Sequence, residues 1–138
     1  MARVKIEPPE ANVSISFDGS VIALTLPIET VSESNVSQHW QKRAARHKVQ
    51  KKYIAVYFSN IRRYLKLPCR VTMKRFGKRL LDADDNLRVS LKWIKDAIAE
   101  QITDDFVPGR ADSNLGITWL YDQEQAPCYY ITILIEQL

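Results

Sequence analysis

The chain has no apolar stretch long enough to cross a membrane as a helix. Its longest apolar runs, residues 21–26 and 131–135, have the length of strands. The N-terminal sequence MARVKIEPPE has no apolar core of the kind that a secretory signal carries. We therefore expect a protein without a membrane span that works in the cytoplasm.

Cysteine and histidine are scarce. The chain has two cysteines, Cys69 and Cys128, and two histidines, His39 and His47. Two cysteines are too few for a zinc site, and the histidines do not complete one. Because no secretory signal is recognisable, we expect two reduced thiols rather than a disulfide.

Acidic residues are missing from residues 42–79, which carry fourteen Lys or Arg. Elsewhere six Lys or Arg stand against sixteen Asp or Glu, so the net charge of +4 conceals a strong separation of charge. Solvated helix surfaces usually mix signs, because opposite charges four residues apart attract. We interpret the stretch as a surface that binds nucleic-acid phosphates, which positions a nucleic acid without reading its sequence. The candidate contacts are Lys42, Arg43, Arg46, Lys51, Arg75, Lys78 and Arg79.

A carboxylate cluster follows this basic stretch directly. Asp82, Asp84 and Asp85 lie within four residues. Carboxylates this close repel one another, and a bound Mg²⁺, which prefers oxygen ligands, offsets that repulsion. Two such ions about 3.5–4 Å apart catalyse phosphodiester hydrolysis. An aspartate at a helix start is more commonly a simple N-cap, but the cluster together with the basic stretch favours a metal-dependent enzyme acting on nucleic acid.

The periodicity of apolar residues predicts an α+β fold for a chain of 138 residues. Residues 1–11 contain two prolines and are expected to form a flexible arm, and 12–138 to form one domain. Alternation predicts strands at 12–17, 21–26, 70–76, 116–122 and 128–136, with a hairpin turn at Asp18-Gly19. Helices are expected from about 36 to 64 and from the aspartates to about 101. The order β-β-α-β-α-β-β indicates a mixed sheet covered by two helices.

Each predicted helix has a candidate buried stripe. In the second helix, apolar residues recur at the spacing of one helix face. In the first helix the apolar residues are more scattered among the basic ones. The predicted stripe of the second helix is Leu87, Leu91, Ile94 and Ile98. That of the first is Trp40, Ala44, Val49, Tyr53, Val56, Tyr57 and Ile61.

The sequence DADDNL at 82–87 resembles the RusA family of Holliday junction resolvases, which are often phage-encoded. Members of that family have a D-x-D-N-L motif at a helix start, a lysine in that helix, a helix end similar to "DAL" and a later Asp-Asp pair. Here Lys92, Asp96-Ala97-Ile98 and Asp104-Asp105 take those places. Residues 116–123 also resemble the strand that follows in phage relatives. The resemblance covers roughly 21–136, and its specific part is about 82–105.

The resemblance implies a homodimeric, Mg²⁺-dependent endodeoxyribonuclease of bacterial or phage origin that cuts four-way DNA junctions, with Mn²⁺ as a substitute metal. It implies a RusA-like nuclease domain over 12–138, with Lys92 supporting the scissile phosphate. The catalytic residues carried over are Asp82, Asp84, Asp85, Lys92 and Asp105. The metal ligands among them are Asp82, Asp85 and Asp105.

Two registers of the motif remain open. Pairing Asp82 with Asp84 keeps the family spacing but puts Asp85 where asparagine belongs, whereas the Asp85-Asn86 pair leaves Ala83 at the first aspartate. A local one-residue insertion would let Asp82 act with either neighbour. The loop after the second helix is long, so Asp112 is an alternative to Asp105 as the distal ligand.

Two other functions also fit the sequence. One is a non-catalytic nucleic-acid-binding protein with a degenerate acidic site. The other is a protein-interaction domain whose basic helix binds an acidic partner. Replacing an aspartate of the cluster separates the enzyme from the non-catalytic binding protein. Loss of cutting without loss of binding would identify the enzyme. DNA binding that weakens with salt would argue against the protein-interaction domain.

Overall fold

The computed structural model describes residues 7–31, 40–82, 86–103 and 116–138. Five strands form one sheet in the order β1-β2-β5-β3-β4. Strands β3 and β4 are parallel and are connected through α2, and the other neighbours are antiparallel. The predicted α+β class, a mixed sheet covered by two helices, is confirmed. The elements are β1 (Asn12–Ile15), β2 (Val21–Leu26), α1 (Trp40–Ser59), a 3₁₀ turn (Arg62–Tyr64), β3 (Cys69–Gly77), α2 (Asn86–Thr103), β4 (Ile117–Gln125) and β5 (Tyr130–Gln137).

The hairpin between β1 and β2 turns at the predicted Asp18-Gly19 pair. Gly19 has φ of +75°, a left-handed conformation that glycine adopts without strain. The Asp18 carboxylate accepts the backbone N–H and the hydroxyl of Ser20, at 3.0 and 2.7 Å, and a hydroxyl from the preceding strand end. These bonds, the backbone one above all, lower the pKa of Asp18 to about 2. Because the turn begins early, β1 ends at Ile15 rather than at residue 17.

One face of the sheet packs against both helices and forms the core. Successive side chains of a strand point to opposite faces, so every second residue of β2, β3 and β5 is buried there. Each buried isoleucine or leucine contributes about 1.5–3 kcal/mol by leaving water. The buried strand residues on this face include Ile22, Leu24, Leu26, Cys69, Val71, Met73, Ile131, Ile133 and Ile135.

The stripe predicted for α2 is confirmed. Leu87, Leu91, Ile94 and Ile98 are all buried, the most accessible of them only 3% exposed. They lie in the same hydrophobic cluster as the strand residues. The helix itself runs two residues beyond its predicted end at about 101.

The stripe predicted for α1 is correct only in part: Ile61 is buried just beyond the end of the helix, and Tyr53 and Tyr57 pack against the core. The helix buries Ile54 and Phe58 instead, together with the amide of Gln50. Val56, predicted to be buried, is 51% exposed. The other predicted members are Trp40, Ala44 and Val49, which are exposed, and Tyr53 and Tyr57, which are half-buried.

Several boundaries also differ from the prediction. Residues 32–39, where the first helix was expected to begin, lie outside the described residues, as do residues 1–6 of the predicted arm. Strand β4 continues to Gln125 rather than ending at 122. Cys69 and Cys128 are free, and burial raises the pKa of the Cys69 thiol. In the part of the chain that the structure describes, no helix has the length and apolarity needed to span a membrane.

Candidate active site at the end of β3

The segment 78–82 leaves the carboxyl end of β3 and leads into α2. Strand β3 is an inner strand of the sheet and is parallel to β4. Ligands of open sheets commonly bind beyond the carboxyl ends of parallel strands. Asp82 is exposed there, and its backbone carbonyl accepts the N–H of Leu87 in the first turn of α2 at 2.8 Å. The fold thus places one candidate metal ligand at a favourable edge.

Side chains of β4 hold this segment by its backbone. The side-chain amide of Gln123 accepts the N–H of Leu81 at 2.8 Å and donates to the Leu81 carbonyl at 2.7 Å. Gln125 donates to the carbonyl of Lys78 at 3.0 Å. The segment is therefore held by the next strand at both ends.

Arg75 lies beneath the same segment. It is only 3% exposed, and its guanidinium donates to the carbonyl of Arg79 at 2.8 Å. A Cβ on Gly77 would stand 2.8 Å from Nη2 of Arg75, so glycine leaves the space that this guanidinium fills. Burial lowers the pKa of Arg75, against a smaller opposing effect of Tyr129. The predicted phosphate contact by Arg75 does not agree with this buried position, and we leave Arg75 out of the DNA-contacting surface.

The other predicted metal ligands lie outside the described residues. This applies to Asp84, Asp85, Asp105 and the alternative Asp112. Among residues 7–31, 40–82, 86–103 and 116–138, no group of three or more His, Cys, Asp or Glu side chains is placed to hold a metal. The described donor, the exposed carboxylate of Asp82, has the hard oxygen that Mg²⁺ prefers.

Lys92 is exposed on α2, between the buried Leu91 and the half-exposed Trp93. Two other cations of this helix lie over aromatic rings of β4. The guanidinium of Arg88 is 5.2 Å from the ring centre of Tyr121, and the ammonium of Lys95 is 5.3 Å from that of Trp119. Such cation–π contacts contribute about 0.5–1 kcal/mol at exposed sites and help fix α2 over the edge of the sheet.

The predicted phosphate contacts lie on two elements. Lys42 and Lys51 are exposed on α1, where Arg43 and Arg46 are half-buried. Lys51 also stands 3.9 Å from the carboxylate of Glu100 on α2. The second group is Lys78 and Arg79, both exposed on the segment that ends at Asp82.

The acid-free stretch of the sequence acquires acidic partners in the fold. Arg70 makes a two-pronged contact with Glu136 on β5, at 2.9 and 3.1 Å. This hydrogen bonding raises the pKa of Arg70 and lowers that of Glu136. Lys74 lies 3.6 Å from the carboxylate of Glu124 on β4. Strand pairing therefore neutralises part of the stretch, while Lys42, Lys78 and Arg79 remain exposed.

A cleft of about 380 Å³ lies between α1 and α2. The imidazole of His47 stacks on the indole of Trp93, with ring centres 4.2 Å apart. Lysines and carboxylates both line the cleft, so its charge favours neither an anion nor a cation. Its charged lining residues are Lys48, Lys51, Asp96 and Glu100.

The residues that hold segment 78–82 were not found from the sequence. Gln123 and Gln125 lie beyond the predicted end of their strand at residue 122, and their partners lie 42 and 47 residues away along the chain. What brings these residues together is the parallel pairing of β3 and β4, in which Arg75 is the register partner of Gln123. That register follows from the tertiary fold, so a local pattern could not supply it.

In comparisons with known proteins, no family model matches the chain and no curated protein is significantly similar to it. The resemblance to RusA-type resolvases therefore depends on the motif at 82–105. The fold adds that Asp82 follows an inner strand of a mixed sheet and that α2 begins at Asn86.

Proposed function

We propose that the chain is a Mg²⁺-dependent endonuclease that cuts four-way DNA junctions, as RusA-type resolvases do. The observation that carries the proposal is the composition of segment 78–82. It has two exposed cations, Lys78 and Arg79, three to four residues before the exposed carboxylate of Asp82. A phosphodiester that bridges a metal ion and basic side chains needs such neighbours.

Each group has a chemical role in this proposal. Asp82 would hold Mg²⁺ or Mn²⁺, together with Asp84 or Asp85 and with Asp105 or Asp112. A bound metal supplies an activated water and stabilises the leaving oxygen. The Lys92 ammonium offsets the charge that develops on the phosphate. Because Lys78, Arg79 and the lysines of α1 bind the DNA backbone, they select its shape rather than its sequence.

The substrate bears on oligomeric state and location. A four-way junction has two equivalent cleavage sites, and a symmetric homodimer presents two equivalent active sites to them. We therefore propose a homodimer. We also propose, from the resemblance, that the protein works in the cytoplasm of a bacterial cell and is encoded by the bacterium or by a phage.

The test is cleavage of a labelled synthetic four-way junction beside a linear duplex of the same sequence. With Mg²⁺ we expect paired symmetric cuts in the junction alone. Asp82→Asn and Asp85→Asn should abolish cutting but keep junction binding measured in Ca²⁺, because each removes only a metal-binding charge. Asp122→Asn is the matched control, since this exposed aspartate lies on β4, outside residues 82–105 of the motif.

Other outcomes would reject the proposal in distinguishable ways. Tight junction binding without cutting in Mg²⁺ or Mn²⁺ would leave a non-catalytic nucleic-acid-binding protein with a degenerate acidic site. Absence of salt-dependent DNA binding would instead favour a domain that binds an acidic protein partner. Cutting that persists in Asp82→Asn and Asp85→Asn would move the site away from this motif.

A further inference from the structure

The two side chains beneath segment 78–82 form a pair across the parallel strands. Arg75 on β3 is the register partner of Gln123 on β4. Arg75 holds the carbonyl of Arg79, and Gln123 holds the backbone of Leu81. With the bond from Gln125 to Lys78, the segment is thus tied to the sheet up to the residue before Asp82.

An amide is well suited to this contact. A glutamine side chain presents a donor and an acceptor in one plane, so it can satisfy the N–H and the carbonyl of one residue together. A carboxylate offers acceptors only, and an apolar side chain would leave both backbone groups of Leu81 without these partners. The distances of 2.8 and 2.7 Å show that both bonds are formed.

These bonds define the backbone around Asp82. The Leu81 carbonyl belongs to the peptide unit that joins Leu81 to Asp82, and Gln123 fixes the orientation of that planar unit. The carbonyl of Asp82 belongs to the following unit and accepts the N–H of Leu87. A hydrogen bond on each of these two carbonyls restricts the backbone of Asp82, and with it the directions that its carboxylate can take.

We propose that Gln123 is a positioning residue for Asp82, holding the backbone of Leu81 so that the Asp82 carboxylate is oriented before a divalent cation binds. The role rests on the proposed function, in which Asp82 is a metal ligand. A ligand ordered in advance loses less conformational entropy when the metal binds. Gln123 does not itself touch the metal or the phosphate in this role.

The first experiment measures the Mg²⁺ dependence of junction cleavage in Gln123→Ala. Loss of a group that orients a metal ligand typically weakens metal affinity or activity about 10–100-fold. We therefore expect the half-saturating Mg²⁺ concentration to rise at least about tenfold, with junction affinity in Ca²⁺ near wild type. The melting temperature should fall because two hydrogen bonds are lost, but the protein should stay folded at the assay temperature. Glu124→Gln is the matched control, because Glu124 is the next residue of β4 and points to the opposite face.

A second variant separates positioning from a general loss of packing. A glutamate of the same size accepts the Leu81 N–H at neutral pH, but its carboxylate cannot donate to the Leu81 carbonyl. In Gln123→Glu at neutral pH, the half-saturating Mg²⁺ concentration should therefore rise as it does in Gln123→Ala. A requirement equal to that of wild type would contradict the hydrogen-bond role, and this variant also serves if Gln123→Ala does not fold.

A third measurement is independent of activity. Amide hydrogen exchange of Leu81, followed by NMR, should be faster in Gln123→Ala than in wild type and in Glu124→Gln. Unchanged exchange, or an unchanged Mg²⁺ requirement in an enzyme whose wild type cuts, would overturn the role of Gln123 alone. A wild type that neither cuts junctions nor binds Mn²⁺ would overturn the proposed function and this role with it.

Discussion

The two helices cover the same sheet but use their apolar residues differently. Helix α1 has 20 residues and α2 has 18, and both contribute to the core. In α2 the stripe from Leu87 to Ile98 is buried throughout. In α1 the buried side is Ile54 and Phe58, and a second apolar group that includes Val49 and Val56 is about half exposed. A helix with one apolar stripe has one way to dock, whereas a helix with two leaves the choice to the surfaces it meets.

The two helices also differ in where their basic side chains lie. The cations of α1 are numerous, and Lys42 is exposed on the half of the helix nearer its N-terminus. On α2, Arg88 and Lys95 lie over aromatic rings of β4, while Lys92 is exposed. We infer a division of labour in which α1 binds the DNA backbone and α2 carries a cation that acts on the scissile phosphate.

The largest expected effect tests which side of α1 faces the core. Phe58 is fully buried, and Phe58→Ala should lower the free energy of unfolding by about 3–5 kcal/mol. Val56→Ala on the same helix should change it by about 0.5 kcal/mol or less, because that side chain is half exposed. Urea denaturation of both variants measures the difference. A larger loss in Val56→Ala than in Phe58→Ala would mean that α1 docks by the side that its sequence pattern predicts.

The next effect tests the division of labour between the helices. Lys92→Ala should slow junction cleavage about 100-fold, the magnitude typical of losing one group that stabilises transition-state charge. Its free energy of unfolding and its DNA affinity should stay near wild type, because Lys92 is exposed. Single-turnover cleavage at saturating protein measures the rate.

Lys42→Ala is the reciprocal control. Removing one phosphate contact should make the slope of log affinity against log salt shallower by about 0.9 and leave the single-turnover rate intact. If Lys92→Ala instead changes the salt dependence and Lys42→Ala changes the rate, the roles of the helices are exchanged.

A smaller effect concerns a polar group buried on the docked side of α1. Gln50 is 2% exposed, and its amide donates to the carbonyl of Glu29 at 3.0 Å. Gln50→Ala removes this hydrogen bond and should cost about 0.5–1.5 kcal/mol. Lys52→Ala, at an exposed position of the same helix, is the control and should cost little. Thermal unfolding compares the two, and similar melting temperatures would show that the buried amide contributes nothing.

The contrast between the helices explains how far the sequence allowed prediction. The α2 stripe and the strand alternation depend on neighbours in the chain, so their periodicity predicts them. The docked side of α1 depends on Ile54 and Phe58 meeting a sheet assembled from distant strands, and the local apolar spacing did not single out these two residues. The same distinction holds for the candidate site. The motif that includes Asp82 is a local sequence pattern and could be predicted, whereas the contact of Gln123 with Leu81 joins residues 42 positions apart in the chain.

The smallest expected effect tests the second apolar side of α1. Val49 and Val56 are each 51% exposed, next to the stacked rings of Tyr53 and Tyr57. Replacing both valines by glutamine should change the free energy of unfolding by about 0.5 kcal/mol or less. The two valine side chains bury little apolar area on folding, and glutamine has a higher helix propensity than valine. Urea denaturation at several protein concentrations measures this. A loss above about 1 kcal/mol that grows with protein concentration would mean that this side is covered in solution by a second copy of the chain, so that the apparent excess of apolar residues on α1 belongs to an interface.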